Sequence, residues 1–435
     1  MRQWLIRWGL FFSFGVIFTG VFRLMIIRGK YYRDLARENK MEEERLVAPR
    51  GKIIDRKGRV VVESNPRRYV YGAAAAFVTG YTGKISEEEI RADKCKIGAG
   101  AEVEVGRGGV EDYFDCELRG KDGKRLIEVD AKGKFIRELG RLDPELGKDL
   151  RLSIDGYWQE KIYKLIEGRK AAVVISQPRT GKILNLISAP AYDPNVFSFE
   201  RDNLKIRNYL GDDKNLQMLN RAIAASFHPG SVFKIVVASA GLETGVVDKN
   251  TLIEDTGVIK VGDYLYTNWL WNKRGATEGM VDIVKAIKRS NDIYFYKLGG
   301  LTGVDNIKSC AEKFGFGRKT GVELLGETAG LIPNEEWKIK ERGEKWFLGN
   351  TYHMAIGQGD VNVTPLQVNQ MTNVIANDGK KCQMSILADS KVNCQDLGIS
   401  GVNLELIKDG MRAACKTGGT AWPLFNFKTE IACKT

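Results

Sequence analysis

Phe227-His228-Pro229-Gly230-Ser231-Val232-Phe233-Lys234-Ile235-Val236-Val237 sets the reading of the whole chain. Pro229-Gly230 breaks the backbone, and the apolar run that follows, continued by Ala238 to Leu242, predicts a buried helix. Ser231 then stands at a helix N-terminus, where unsatisfied N–H groups and the helix dipole favour developing negative charge. Lys234 lies three residues on, on the same face. A hydroxyl with an amine one turn along suggests a serine nucleophile activated by lysine. An arbitrary S-x-x-K is an N-cap serine beside a solvated lysine. Two features separate this one from that reading. Ser231 is the only serine followed by Lys at +3, and Lys234 sits inside an apolar run, where desolvation lowers its pKa toward the neutral form a base needs.

The remaining composition narrows the class. The chain has 435 residues, 43% hydrophobic and 28% charged, enough for two or three domains. The net charge of +12 would permit nucleic-acid binding, but the basic residues are scattered and no nucleic-acid motif is present. An anionic membrane surface or polymer nearby is the more economical reading. Seven cysteines, odd in number and without C-x-x-C, predict neither a disulfide framework nor a zinc site. With only His228 and His353, a metal enzyme is not expected, and no cofactor is called for. Trp4 to Ile27 is apolar apart from Arg7 and Arg23, long enough to span a bilayer if those arginines snorkel. No small-residue cleavage site follows, so a retained anchor is expected. Arg2 and Arg7 precede the span, but Arg23, Arg28, Lys30 and Arg33 follow it, so the charge count does not favour a cytoplasmic N-terminus.

Beyond the anchor, Tyr31 to Glu44 reads as a polar helix, and Lys57-Gly58 as the turn of a hairpin. Tyr69 to Gly109 looks like a small irregular subdomain. Val110 to Gly133 reads as short strands with turns at Lys121-Asp122-Gly123 and Ala131-Lys132-Gly133. Asp143-Pro144 to Gly147 is a linker and the main boundary. An α/β pattern follows: a helix over Gly156 to Glu167, then strands Ala171 to Ser176 and Lys182 to Ser188 about a short turn, hence antiparallel. Ser290-Asn291-Asp292 punctuates two helical patterns. A hydroxyl there can face a cleft and relay a proton, although a helix cap is the plainer reading. A cation–hydroxyl pair to hold a substrate carboxylate has three candidates, Lys319-Thr320, Lys416-Thr417 and Lys434-Thr435. The third ends an expected strand, Thr429 to Thr435, and is preferred.

S-x-x-K, S-x-D and K-T together resemble the motif set of penicillin-binding proteins. The chain is similar to the class B penicillin-binding proteins, closest to the elongation or rod-shape type. Further segments carry the resemblance in the same order: Ala48 to Gly51 with Asp55 to Gly58, Gly109 to Tyr113 with Leu118 to Gly120, Leu152 to Asp155 with Gln159, Ser188 to Asn195, Asn220 to Ala222, Gly330 to Pro333, Ala355 to Gly359, and Thr364 to Gln367. It implies an α/β (α+β) fold with an anchor (1–30), a β-rich pedestal or dimerisation domain (31–147) and a transpeptidase domain (148–435) with a central antiparallel sheet sandwiched by helices. It makes Lys416 a decoy, and it places the catalytic domain outside the cytoplasm on a single-pass bacterial membrane protein.

The implied activity is peptidoglycan D,D-transpeptidation in cell elongation and shape, with β-lactams as inhibitors. Ser231 would be the nucleophile, Lys234 the base, and Ser290 and Asp292 the proton relay and its support. Asn291, Lys434 and Thr435 would bind substrate. Stem peptides, a membrane glycan polymerase and shape-determining proteins are the implied partners. The family pattern continues past Lys434-Thr435 with a glycine, a strand and a helix, so a truncated, poorly active chain is expected. The segment Tyr69 to Gly109 is short for the family. Two alternatives stay open: a β-lactamase or β-lactam sensor, and a non-catalytic scaffold for wall-synthesis partners.

Overall fold

The computed structural model describes residues 2–38, 41–92, 95, 103–130 and 132–435. Two compact units emerge, Met1–Gly51 with Cys116–Lys148, and Lys52–Asp115 with Asp149–Thr435.

In the first unit, Arg2–Phe22 is an α-helix that runs on as a wider π turn over Arg23–Ile27. The stretch Arg7–Ile27 has 21 residues, a mean hydropathy of 2.1 and no burial. At 1.5 Å per residue it reaches about 31 Å, the thickness of a bilayer's hydrocarbon core. The polar helix expected over Tyr31 to Glu44 is shorter. It spans Gly29–Glu38, and Met41–Leu46 is instead a strand. That strand pairs with Gly123–Val129, which also pairs with Phe135–Leu142, both antiparallel. Acidic Glu43 and Glu44 meet Lys124 and Arg125 across the ladder, which favours the extended pairing over a helix. The strands expected from Val110 onward begin only at Gly123, because Gly109–Tyr113, which belongs to the second unit, and Asp115–Arg119 are short helices. Glu111 and Asp112 in the first turn of the former suit its dipole. Residues 93–94 and 96–102 of the Tyr69 to Gly109 segment, and Ala131 of the last turn, lie outside the described residues.

The second unit opens with the expected hairpin. Ile53–Ile54 pairs antiparallel with Val60–Val62 and parallel with Leu150–Arg151. Buried Asp55 accepts from the N–H groups of Lys57, Arg59 and Gly156 and from the Arg59 guanidinium. Burial pushes its pKa up, but these donors outweigh it and hold the carboxyl below its ordinary value.

Farther along, Ala171–Gln177 and Lys182–Ala189 form an antiparallel pair. Lys182 also bridges in parallel to Ser385. The Gly156–Ile166 helix packs on Lys182–Ala189, and Pro365–Ala376 packs on Ala171–Gln177. Most of the core is helical: Lys234–Glu243, Ile283–Arg289, Asp292–Thr302, Val304–Phe314 and Gly401–Ala414 share one apolar cluster. Every residue from Lys234 to Leu242 is buried. A helix apolar on all sides belongs in an interior, and Lys234 is the one charge it carries there.

Two expectations are corrected. Thr429 to Thr435 is not a strand. A strand exists only through a ladder partner, and here Cys433 N–H bonds instead to Met411 O at 3.0 Å, on the Gly401–Ala414 helix. The cysteines do form disulfides, Cys382–Cys394 and Cys415–Cys433 among them. Their sequence separations of 12 and 18 resemble no familiar spacing, and folding rather than spacing brings them together.

Candidate active site

Ser231 lies in a tight 3-10 turn, Gly230–Phe233, that leads directly into the Lys234–Glu243 helix. The turn is braced from behind. Gly230 N–H donates to Gly357 O at 2.9 Å, and Phe227 and Val363 exchange two backbone bonds. Gly357, at φ +71°, comes so close that a Cβ there would sit 2.2 Å from Gly230 O. This is the physical reason for glycine in the Ala355 to Gly359 segment. Ser231 itself is partly exposed and faces a cleft of about 510 Å³.

The Lys234 ammonium is fully buried. It donates to Asp292 Oδ1 at 2.6 Å, to Ser290 O at 2.9 Å and to Ser290 Oγ at 3.3 Å. Burial pulls its pKa down, and the charge and hydrogen bond of Asp292 pull the other way. The net direction is downward, toward the neutral amine. Ser290 Oγ also accepts from Lys434 Nζ at 2.8 Å. The hydroxyl therefore stands between two amines, one on the helix behind Ser231 and one at the cleft edge. Burial, and then the charge of Lys234, bring Lys434 down to about 7, with Asp292 opposing. Thr435 Oγ1 hydrogen bonds Thr420 Oγ1 at 2.7 Å, and both residues line the cleft.

The turn that presents Ser290 is unusual. Ser290 ends the Ile283–Arg289 helix at φ +52°, and Asn291 caps the next one, Asp292–Thr302. A left-handed non-glycine residue is strained and persists only where its surroundings over-determine it. Among the described residues, no three His, Cys, Asp or Glu side chains gather for a metal ion.

This geometry, a partly exposed serine above a buried lysine and a hydroxyl bridging two amines, coincides with a family match. Residues 171–435 match the penicillin binding protein transpeptidase domain, and residues 63–152 the penicillin-binding protein dimerisation domain. The chain belongs to the penicillin-binding protein family. It is 39% identical over 313 residues to the peptidoglycan D,D-transpeptidase MrdA of Acinetobacter baumannii, covering 72% of this chain and 46% of that protein. It is 33% identical over 395 residues to MrdA of Escherichia coli K12, covering 86% and 62%. The chain thus spans about half the length of the curated relatives it matches. Its fold is similar to that of PBP2 in complex with MreC from Helicobacter pylori, at a TM-score of 0.80 and 26% identity, covering 91% of this chain and 88% of that one. It is similar also to PBP2 of Pseudomonas aeruginosa, at a TM-score of 0.76 and 31% identity, covering 88% and 83%.

Six of the seven residues singled out in the sequence meet at this site. Ser231, Ser290, Asp292 and Thr435 line the cleft, and Lys234 and Lys434 hydrogen bond Ser290. Asn291 does not join them. It is fully buried, its Oδ1 caps Tyr294 N–H, and its Nδ2 donates to Asp255. Its amide has no face toward substrate. Lys416 is exposed just past the Gly401–Ala414 helix, and Thr320 N–H is held by Glu327. Neither Lys416 nor Lys319 lines the cleft.

Several cleft residues had no motif to announce them. Trp269, Lys273 and Arg274 come from one short helix, Arg289 from the helix before Ser290, and Thr420 and Trp422 from the segment after Gly418. Trp269 N–H donates to Asp292 Oδ2 at 3.2 Å, and its ring lies under Arg289, which pairs with Glu278 at 2.8 Å. The available signal was the cluster Trp269-Leu270-Trp271 beside Lys273-Arg274, a composition common to many surface helices.

Proposed function

We propose that this protein is a membrane-anchored serine D,D-transpeptidase that cross-links peptidoglycan stem peptides during elongation. The observation that carries the reading is the Lys234–Ser290–Lys434 relay beside Ser231. Ser231 Oγ attacks the amide carbonyl between the two terminal D-alanines, and neutral Lys234 takes its proton. The tetrahedral oxyanion is held by the N–H of Ser231 at the start of its turn. The C–N bond then breaks. The leaving D-alanine amine receives a proton through Ser290 Oγ, which both amines contact. An ester on Ser231 remains. The amine of a second stem peptide attacks that ester, returns a proton to Ser231 by the same route, and leaves a new peptide bond. Lys434 and Thr435 suit the terminal carboxylate of the donor, which a β-lactam imitates.

The reading also divides the chain into anchor (1–30), pedestal (31–147) and catalytic domain (148–435), and places the catalytic part outside the cytoplasm. Disulfides such as Cys382–Cys394 and Cys415–Cys433 fit an oxidising compartment. A glycan polymerase and shape-determining proteins are the partners it implies. A peptidoglycan synthase complex is among the similar structures, at a TM-score of 0.81 and 26% identity, and the Helicobacter pylori relative binds MreC. Relatives bearing the D,D-transpeptidase name favour this over a β-lactamase, a sensor or a silent scaffold.

Mass spectrometry after exposure to a labelled penicillin tests the proposal. An adduct on the Ser231 peptide, absent in Ser231→Ala, is expected. No adduct on the full chain, with the protein folded, overturns the assignment.

A further inference from the structure

Asp255 ends the Ile253–Asp255 strand, is almost completely buried, and has no place in the chemistry described above. Its carboxylate nevertheless collects four hydrogen bonds. Oδ2 accepts from Asn268 Nδ2 at 2.8 Å, from Asn291 Nδ2 at 2.8 Å and from Glu278 N–H at 2.9 Å. Oδ1 accepts from Gly257 N–H at 2.8 Å. These partners are all neutral N–H groups. A buried carboxylate held only in this way is stable because its lone pairs are filled, and each such bond is stronger than one between neutral groups. The donors belong to four separate pieces of chain, so one side chain fixes all of them together.

Two of those pieces lead straight to the reactive groups. Asn291 stands between Ser290, with its left-handed backbone, and Asp292. Asn268 Oδ1 accepts from Asp292 N–H at 3.3 Å. Asn268 also precedes Trp269, whose N–H donates to Asp292 Oδ2, while Asp292 Oδ1 takes the Lys234 ammonium. Asn268 and Asn291 are themselves fully buried and spend their amides within this knot.

We propose that Asp255 is a positioning residue for the acylation reaction. It locks the Ser290–Asp292 turn in the one arrangement in which Ser290 Oγ and Asp292 Oδ1 both meet Lys234. It touches neither substrate nor reacting atoms and acts through Asn268 and Asn291. This rests on the proposed function, and the test separates the two. Acylation of the unsubstituted chain reports on the function, and the variants report on Asp255.

The experiment measures penicillin acylation of the 435-residue chain in detergent by stopped flow. Amplitude gives the folded, reactive fraction, the saturating rate gives the chemical step, and the concentration at half-saturation gives prior binding. Asp255→Asn keeps the shape but turns the shared acceptor into a donor facing three N–H donors. A tenfold or larger fall in saturating rate is expected, with amplitude retained and half-saturation within twofold. Asn268→Ala removes the link to Asp292 N–H from the other side and is expected to slow the same step about threefold, again at full amplitude. The swap Asp255→Asn with Asn291→Asp restores a carboxylate–amide pair and keeps an N-cap for Tyr294, so it recovers part of the rate lost in Asp255→Asn. A purely structural role would lower amplitude and leave the rate of the surviving fraction unchanged. That result overturns the proposal, as does an unchanged rate in Asp255→Asn, or loss of amplitude in both single variants.

Discussion

Gly357→Ala should disable the Ser231 turn without touching a reactive group. Two costs can be read from the structure. Gly357 sits at φ +71°, and an L-residue in the left-handed region costs about 1–2 kcal/mol. The added Cβ would also stand 2.2 Å from Gly230 O, 2.8 Å from Gly230 N and 2.9 Å from its carbonyl carbon. All three are backbone atoms, so no side chain can swing aside. Relief needs a displacement of about 1 Å, against ordinary contact distances of roughly 3.5 Å. The moving part is Gly230, whose N–H is bonded to Gly357 O and whose neighbour is Ser231. A misplacement of that size at a reacting atom costs about a hundredfold in rate.

Gly343→Ala separates strain from displacement. Gly343 has φ +69° at the end of the Glu335–Arg342 helix, and a Cβ there meets nothing within 4 Å. It should lose a similar 1–2 kcal/mol from backbone conformation alone, or several degrees in melting temperature at about 2–4 °C per kcal/mol for a domain of this size. Its acylation by a fluorescent penicillin should match that of the unsubstituted chain. Gly357→Ala should melt lower still and acylate about a hundredfold more slowly. If Gly357→Ala remains folded and acylates within threefold of the Gly343→Ala rate, the bracing argument is wrong.

Lys234→Met fits a fully buried site and removes the base, so acylation followed by mass spectrometry should fall by about 10²–10⁴. Lys434, at about 7, is charged below that pH and neutral above it. Carboxylate-bearing β-lactams should therefore bind more weakly as pH rises through 7, whereas a neutral ester analogue should show no such step in the same titration. The same shift has a stability consequence. The unfolded lysine titrates near about 10.4, so between about 7 and 10.4 the unfolded chain binds the extra proton and stability rises with pH. Denaturant midpoints measured for the parent and Lys434→Met should diverge across that window. Cys433 adjoins Lys434 and is tied to Cys415, so Cys415→Ser with Cys433→Ser should slow acylation. Cys382→Ser with Cys394→Ser should lower stability by about 2–4 kcal/mol and leave the rate alone.

The parts of the fold legible in sequence were those coded by local spacing. The Ile53–Ile54 hairpin follows from Lys57-Gly58, with Gly58 at φ +80° as such a turn requires. The pair Ala171–Gln177 and Lys182–Ala189 follows from apolar runs about Pro178 to Gly181. The Lys234–Glu243 helix follows from an uninterrupted apolar run after a break. Where local preference and pairing disagree, pairing wins. Met41–Leu46 is rich in glutamate, a good helix former, yet it is a strand whose Glu44 lies opposite Arg125 and whose Glu43 reaches diagonally to Lys124. Thr429 to Thr435 carries a short apolar run, Ile431-Ala432-Cys433, that reads as a strand, yet its described backbone bond runs to Met411 and its cysteine to Cys415.

The site divides along the same line. Ser231 and Lys234 are three residues apart, so one helical turn places them, and sequence suffices. Ser290 and Asp292 are 56 and 58 residues beyond Lys234, and their approach to it depends on how two helices pack. Family resemblance supplied that approach, and spacing alone could not. Asn291 shows the limit of such transfer. The motif marks the position, but whether the middle residue faces substrate or core is set by the turn's backbone. Here the left-handed Ser290 rotates the next side chain inward, onto Asp255. Asp255 is legible by neither route. It lies 35 residues before Ser290 in a stretch that reads as an ordinary turn, Asp255-Thr256-Gly257, and indeed it does bond Gly257 N–H as a turn aspartate would. Only when the chain is folded does the same carboxylate also meet Asn268, Glu278 and Asn291. Its local role is encoded in its neighbours, and its long-range role is encoded in the packing of elements that the sequence names separately. A residue of this kind is therefore better sought by following hydrogen bonds outward from the reactive groups than by extending a motif along the chain.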